Sequence, residues 1–566
     1  MGSITDIFTQ GGQTQLHKLH MIRQVMGMTI WISIIIGLLV FTILMFWELS
    51  INDLLIFITY EWSRLVVSLG KGAKLFKDVT FPFPNGRKVV SCIWVVKEPG
   101  VIQFSNMVWI KVGSAFKIGF MCALLSFIGI SYYWVNRGEK RNEKKILSGR
   151  DIVSGEQFSK IMRKSPGGVD YKIAGLPLPK DQERQHVFIL GATGTGKTTC
   201  IYEILQQVRE RDQRAVVVDA TGNLVRKFYR EGVDKVLNPF DRRSEGWNLW
   251  GECEQDYHYD MIAAAFIPDM PGIKERYWID APRSIFVTAA KKLKDKGKTS
   301  TAEFLDCTIR SDEKSMENFY KGTIAAPATD SKSRGDVIFT LSNKIKCMEI
   351  LEDTEHPFSI RQWVREEQGE GWLFLSSPTE MREALQPLIA VWLSIATNAI
   401  MSLPEMAKEE DRRLWIVIDE LPSLQRLPSL HTTLAEIRKF GGCAVIGTQD
   451  IPLLEEVYGF NLVKSIINNC STQVLLRLNN GDLATTASRW IGRQEISEVV
   501  ENISYGAHSM RDAISVNTVV KEKDVVSSNQ IMQLGDLEGF LILPGKFPIG
   551  KFKLKPQNLE NIAKSF

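Results

Sequence analysis

Eight residues constrain this chain more than any other stretch: Gly191-Ala192-Thr193-Gly194-Thr195-Gly196-Lys197-Thr198. They fit G-x-x-x-x-G-K-[ST] at every fixed position. An apolar run, Val187 to Leu190, leads into them, and Ile201, Ile204, Leu205 and Val208 follow at helical spacing. Strand, glycine loop and helix are what phosphate binding requires. Glycines let backbone N–H groups wrap the phosphates, and the helix N-terminus adds positive potential. Gly191 to Thr199 is therefore expected to cradle the nucleotide, ATP. Lys197 would reach the β- and γ-phosphates, and Thr198 would hold Mg²⁺.

A nucleotide site of this kind needs a second carboxylate. Leu414 to Ile418 is a buried-strand run that ends in Asp419-Glu420. Asp419 would hold Mg²⁺, and Glu420 would orient or deprotonate the attacking water, which makes hydrolysis the expected reaction. Further apolar runs are Ala215–Val218 ending at Asp219, Trp372–Leu375 ending at Ser376-Ser377, and Cys443–Ile446 ending at Gly447-Thr448-Gln449. Val474–Leu478 and Phe540–Leu543 complete the set. Apolar strands alternating with helical patterns predict an α/β fold, a mostly parallel sheet with helices on both faces and the ligand at the carboxyl ends of the strands. Gln449 falls at such an end and could sense the γ-phosphate through its amide.

Lys197 and Asp419 are far apart in the chain. The stretch 256–356 lacks strong strands and keeps helical apolar faces, such as Ile279, Phe286, Ala290 and Leu293. It is expected to be an all-α domain inserted after the second core strand, with a flexible turn at Ala325 to Gly335. Ala384 to Pro404 is uncharged and long enough to cross a bilayer. A span there would put Lys197 and Asp419 on opposite sides of a membrane, so a buried core helix behind the sheet is expected instead.

Two other uncharged runs have no such objection, Gln24–Trp47 and Ile118–Val135. Trp31, Trp47, Tyr132, Tyr133 and Trp134 sit in them or at their ends, where such rings favour the membrane–water boundary. The first run is too long and begins too far in for a cleavable leader, and Asp6 stands where myristoylation after Met1-Gly2 needs Ser or Thr. Arg137, Lys140, Arg141, Lys144, Lys145 and Arg150 crowd the exit of the second run, so both termini are expected in the cytoplasm. The expected division is 1–25 N-terminal tail, 26–47 and 113–136 transmembrane helices, 48–112 periplasmic loop, 137–255 with 357–566 a split nucleotide-binding domain, and 256–356 the inserted domain. Lys+Arg 69 against Asp+Glu 65 gives a net charge of +4, so any nucleic-acid footprint must be local. The eight cysteines form no CxxC pair and the seven histidines no ligand pattern, which leaves disulfide and zinc frameworks unsupported.

Longer blocks then come in order: Leu237-Asn238-Pro239-Phe240-Asp241, Trp247-Asn248-Leu249-Trp250, Gly371-Trp372-Leu373-Phe374, Asp419-Glu420-Leu421-Pro422-Ser423-Leu424, Arg438-Lys439-Phe440-Gly441-Gly442-Cys443, Tyr458-Gly459, Ser504-Tyr505-Gly506-Ala507 and Leu543-Pro544-Gly545. With the two-span anchor and the phosphate loop, the whole chain resembles the type IV coupling proteins of bacterial conjugation, most closely the TraD type of F-like plasmids. The resemblance implies a RecA/FtsK-like core with an all-α domain, in a homo-hexameric inner-membrane ATPase. It implies partners too: single- or double-stranded DNA, relaxase and relaxosome proteins, and the type IV secretion channel. By motif it makes Lys197 and Thr198 the nucleotide and Mg²⁺ ligands, Asp419 and Glu420 the Walker B pair, Gln449 a sensor, and Arg438 a finger acting on a neighbour's ATP. The family often has Gln-Ser where this chain has Gln449-Asp450. TraD of F-type plasmids also carries a long acidic C-terminal tail, and with the chain ending at Phe566 recognition through such a tail is not expected.

Several functions use a phosphate loop of this kind. A DNA-translocating motor needs the full ATP site and an assembly. A membrane receptor recruiting protein substrates would use ATP for assembly alone. A transporter ATPase would carry an LSGGQ-like signature before Asp419, which is not found. A chromosome translocase of the FtsK type would usually have more spans and a terminal winged helix.

Overall fold

The structure is a computed structural model that describes residues 4–70, 77–84, 86–142, 145–165, 167–269, 275–329, 332–366, 369–406, 412–504, 513–557 and 559–565. Met1-Gly2, the basic residues Lys71 and Lys74 of the expected periplasmic loop, Lys144, Ser331 within the expected flexible turn, and Tyr505-Gly506-Ala507 lie outside them. The chain divides into two compact units, residues 1–145 with 498–519, and 146–497 with 520–566.

In the first unit two long helices, Ile4–Glu48 and Pro99–Asn142, pack along each other. They meet at small residues. A Cβ on Gly37 would lie 2.8 Å from Ala123 Cβ and 2.9 Å from Gly119 O, so glycine there sets the backbone approach. Both helices are long and apolar enough to cross a membrane. The second begins at Pro99 and not at 113, because proline suits a first helical position and the helix outruns its apolar part. The segment between these two helices, expected as a loop, carries secondary structure of its own among the described residues. It holds the helix Ile51–Ser68, the antiparallel hairpin Asp78–Phe83/Gly86–Ser91 and the short helix Cys92–Lys97. A small core of Phe81, Val95 and Val101 with Ile56 and Tyr60 joins them.

The second unit is built on a ten-stranded sheet. Its strands in chain order are β1 (Ile152–Ser154), β2 (Val187–Leu190), β3 (Arg214–Asp219), β4 (Lys235–Leu237), β5 (Leu373–Ser376), β6 (Leu414–Ile418), β7 (Gly442–Thr448), β8 (Thr472–Leu476), β9 (Glu538–Ile542) and β10 (Ile549–Lys553). Across the sheet they run β1-β10-β9-β8-β2-β7-β6-β3-β5-β4. From β8 to β4 all neighbours are parallel, while β9 is antiparallel to both β8 and β10.

Alternation of side chains along the strands makes two cores. Val187, Ile189, Val217, Val417 and Val445 pack on the helix Lys197–Glu210 through Ile201, Ile204 and Val208. Phe188, Val216, Ile416 and Ile446 lie on the other face, in a cluster that also contains Phe266, Phe286, Leu341 and Met348 of the helical segment. The core of the inserted helices is therefore continuous with the core on this face of the sheet. They follow β4, the third core strand when β2 is counted as the first, and not the second as expected, since β4 is only three residues long and carries no run that stands out. Ala326–Thr329 is a helical turn and Arg334 begins the next helix, where a flexible turn is expected. Arg382–Met401, the third helix apolar enough to span a membrane, has Leu388, Val391, Trp392, Ile395 and Ala399 fully buried in that same cluster. Burial on all sides accounts for its composition without lipid.

The joints of the insertion are tied by one carboxylate. Glu252, fully buried, accepts from Trp247 Nε1 (3.1 Å), Ile360 N–H (2.6 Å), Arg361 N–H (3.1 Å) and Ser359 Oγ (3.2 Å). Burial pushes its carboxyl above the usual range, and these donors oppose that.

A nucleotide cleft at the carboxyl ends of four strands

β2, β7, β6 and β3 lie side by side and parallel, so their C-terminal ends open on one edge. β2 runs into the glycine loop. A Cβ on Gly191 would meet Leu476 Cβ at 2.7 Å, and Gly194 and Gly196 take φ of +76° and +114°, which side chains resist. The loop is held from both flanks: Ala192 N–H donates to Arg477 O (2.9 Å), and Leu537 N–H to Thr195 O (3.1 Å). Arg477 and Asp536 form an ion pair at 2.7 Å that ties the two flanks together.

β6 delivers Asp419 and Glu420 to the same edge. β7 can pass beside them only because residue 447 is glycine, where a Cβ would fall 2.2 Å from Asp419 O. Lys197 Nζ donates to Gly191 O (3.1 Å) and stands 4.0 Å from Glu420 Oε2. Gln449 joins the loop to the acids, accepting from Thr193 Oγ1 (2.6 Å) and donating its N–H to Glu420 Oε1 (3.3 Å). An open cleft of about 290 Å³ lies between, lined by Ala192 to Gly194, Gly196 to Thr199, Asp419 and Gln449. Its other walls are Thr221, Asn223 and Leu537. The sequence offered no local signal for these three, because only the sheet order brings them here.

The electrostatics fit a cation and phosphates. Burial, aided by the charge of Asp219, pushes Asp419 up to about 6, and Lys197 opposes the rise. Burial likewise raises Glu420 and lowers Lys197, whose charge the two acids favour. Asp419 Oδ1 is buried without a hydrogen-bond partner among the described residues, an orphan that a bound cation would satisfy. Thr198 lines the same cleft, so the donor set suits Mg²⁺. Asp219 is taken up otherwise: Oδ1 accepts from Thr221 and Gly222 N–H, and Oδ2 from Leu224 and Val225 N–H, which caps the helix Asn223–Phe228.

Arg438 is not brought to this cleft. It is exposed in the turn Ile437–Phe440, before β7 and thus at the opposite end of the strands. Its charge acts on His186, whose Nδ1 accepts from Ala444 N–H (3.1 Å), leaving Nε2–H to donate to Leu434 O (2.7 Å). Burial, with Arg438 adding, lowers His186 to about 4 from an ordinary 6.5. The unfolded chain thus binds the proton first as pH falls. The stability tied to neutral His186, on the order of 3 kcal/mol, is intact above pH 6.5 and lost towards pH 4. Calorimetry across that window is expected to show a steeper fall for the wild type than for His186→Gln.

Residues 170–555 match the model of the type IV secretion-system coupling protein DNA-binding domain. The chain belongs to that family. Coupling protein TraD of Escherichia coli (strain K12) is 29% identical over 573 residues, 99% of this chain and 79% of TraD. Solved structures of the bacterial conjugative coupling protein TrwB are also similar. The trigonal form of TrwBdeltaN70 in complex with sulphate is 30% identical, with a TM-score of 0.67, and covers 75% of this chain and 96% of that solved chain. TrwB in complex with ADP and Mg²⁺ is 30% identical, with a TM-score of 0.66, over 75% of this chain and 97% of TrwB. The family's RecA-like α/β core is therefore the fold of this coupling protein.

Proposed function

We propose that this coupling protein is a membrane-anchored ATPase that joins the relaxase–DNA complex to a type IV secretion channel and drives single-stranded DNA through it. The observation that carries the reading is the convergence of Lys197, Asp419, Glu420 and Gln449 on one cleft. TrwB solved with ADP and Mg²⁺, and with a non-hydrolysable ATP analogue, supports ATP and Mg²⁺ as the ligands. In this mechanism Gly191 to Thr199 bind the phosphates and Lys197 balances their charge. Thr198 and Asp419 would hold Mg²⁺, which supplies charge neutralisation at the β- and γ-phosphates. Glu420, its carboxyl raised by burial, takes the proton of the attacking water. Gln449 reports the γ-phosphate to β7.

Arg438 stands at the far end of its own sheet, which supports a role on a neighbour's nucleotide within a homo-hexamer. Arg438→Ala is expected to keep ATP binding but lose roughly 10³-fold in DNA-stimulated turnover. Mixing Arg438→Ala with Lys197→Ala subunits should restore partial turnover, because some interfaces pair an intact Lys197 with an intact Arg438. A mixture as inactive as either parent overturns the action in trans. ATP turnover that ignores added DNA favours the receptor reading, in which ATP serves assembly. The basic cluster from Arg137 to Arg150 supports two spans with both termini in the cytoplasm.

A further inference from the structure

The segment between the two spans carries a surface that DNA transfer leaves unused. The helix Ile51–Ser68 starts just past Glu48, nucleated by a reciprocal cap. Asp53 N–H donates to Ser50 Oγ (3.2 Å) and Ser50 N–H to Asp53 Oδ2 (2.9 Å). One flank of the helix packs inward through Ile56, Tyr60 and Ser63. On the other flank Ile51, Ile58, Trp62 and Leu65, with the capping Leu69, lie on one line within an arc of about 60° at 100° per residue. These five side chains are between 48% and 70% exposed. The charged residues of the helix, Asp53, Glu61 and Arg64, fall off that line.

Two side chains of the returning helix fix the height of this one. Lys111 Nζ donates to Glu48 O (3.2 Å), which sets Lys111 of the returning helix level with the end of the first. Trp109, about 3 Å of helical rise away, donates Nε1 to Glu61 Oε1 (2.6 Å) and meets Phe57 edge-on at 5.4 Å. The start and the middle of the helix are thus both held near the level where the first apolar run ends. A helix pinned so runs along that level, and it begins four residues after Trp47, which like Phe46 is exposed.

We propose that Ile51–Ser68 lies in the outer face of the bilayer, with Ile51, Ile58, Trp62, Leu65 and Leu69 set into the boundary between headgroups and acyl chains. The proposal rests on the two flanking helices being membrane spans. Phospholipid is the occupant, because the line begins where a lipid-facing surface ends and carries no charge.

The test uses the full chain in liposomes of phosphatidylethanolamine and phosphatidylglycerol, with its native cysteines replaced. Nitroxides at Ile58→Cys, Leu65→Cys and Arg64→Cys are compared for collision with oxygen and with a water-soluble nickel chelate. The first two should favour oxygen over nickel several-fold more than Arg64→Cys. Equal nickel access at all three overturns the proposal. So does shielding from both reagents with spin broadening that vanishes on dilution with unlabelled chain, which means a second copy covers the line. Ile35→Cys, in the first span, must favour oxygen; if it does not, the spanning reading itself has failed. If the cysteine-free chain does not assemble, benzoylphenylalanine at Ile58 in the otherwise unaltered protein replaces it. Adducts to phospholipid support the proposal and adducts to a second chain overturn it.

Discussion

Lys197→Ala lowers ATP hydrolysis by about 10²–10³-fold and leaves the fold standing. The buried ammonium lies 3.1 Å from Gly191 O and 4.0 Å from Glu420 Oε2. Without nucleotide it offsets two acids in a poorly solvated edge. With nucleotide it faces the charge that grows on the leaving and transferred phosphates, where a preset cation lowers the barrier most. Alanine gives up the bond to Gly191 O but keeps the glycine loop, because the Ala192 and Leu537 backbone bonds still brace it from both flanks. Removing the cation takes away a charge that holds Asp419 and Glu420 down, so both carboxyls shift further up. Steady-state turnover beside a thermal melt separates the effects. Turnover within tenfold of the wild type would count against the assigned role, and a collapsed melting midpoint against the bracing.

Glu252→Ala should cost about 3–5 kcal/mol of stability. The carboxylate is fully buried and satisfies donors from Trp247, Ser359, Ile360 and Arg361. Truncation leaves those donors without an acceptor. It also leaves buried Arg361 without the nearest negative charge that favours its ionised form. Glu252→Gln keeps one acceptor and should lose less. The damage has an address, since Glu252 precedes the inserted helices and Ser359 to Arg361 follow them. Denaturant melts should therefore fall together with faster proteolysis at the joints near 255 and 357. A melt unchanged to within 1 kcal/mol would mean that water replaces the carboxylate at no loss.

The parts of the site that were legible in the sequence are those whose chemistry is local. Gly191 to Thr198 and Asp419-Glu420 each follow a buried strand directly, so spacing alone reports both the residues and their place. Leu537, Thr221, Asn223, Arg477 and Asp536 were not legible. Each reaches the loop or cleft through the order of strands in the sheet, which the chain does not spell out. β4 escaped notice because three residues carry no pattern, and β10 because Ile549, Gly550 and Phe552 are buried while Lys551 and Lys553 are exposed, in no continuous apolar run. The helix Ile51–Ser68 was hidden for another reason. Its apolar residues serve two faces at once, which blurs the single periodic stripe that marks a helix on a globular core.

β7 has two ends with different company. Gln449 leaves one end beside the chain's own glycine loop, and the turn bearing Arg438 feeds the other. The strand between is buried along its whole length and about 23 Å long. In a ring where Arg438 serves the adjoining subunit, a single stiff rod thus rests on two nucleotides at once. In the proposed homo-hexamer the six sites would then stand mechanically in series, coupled through one strand repeated six times.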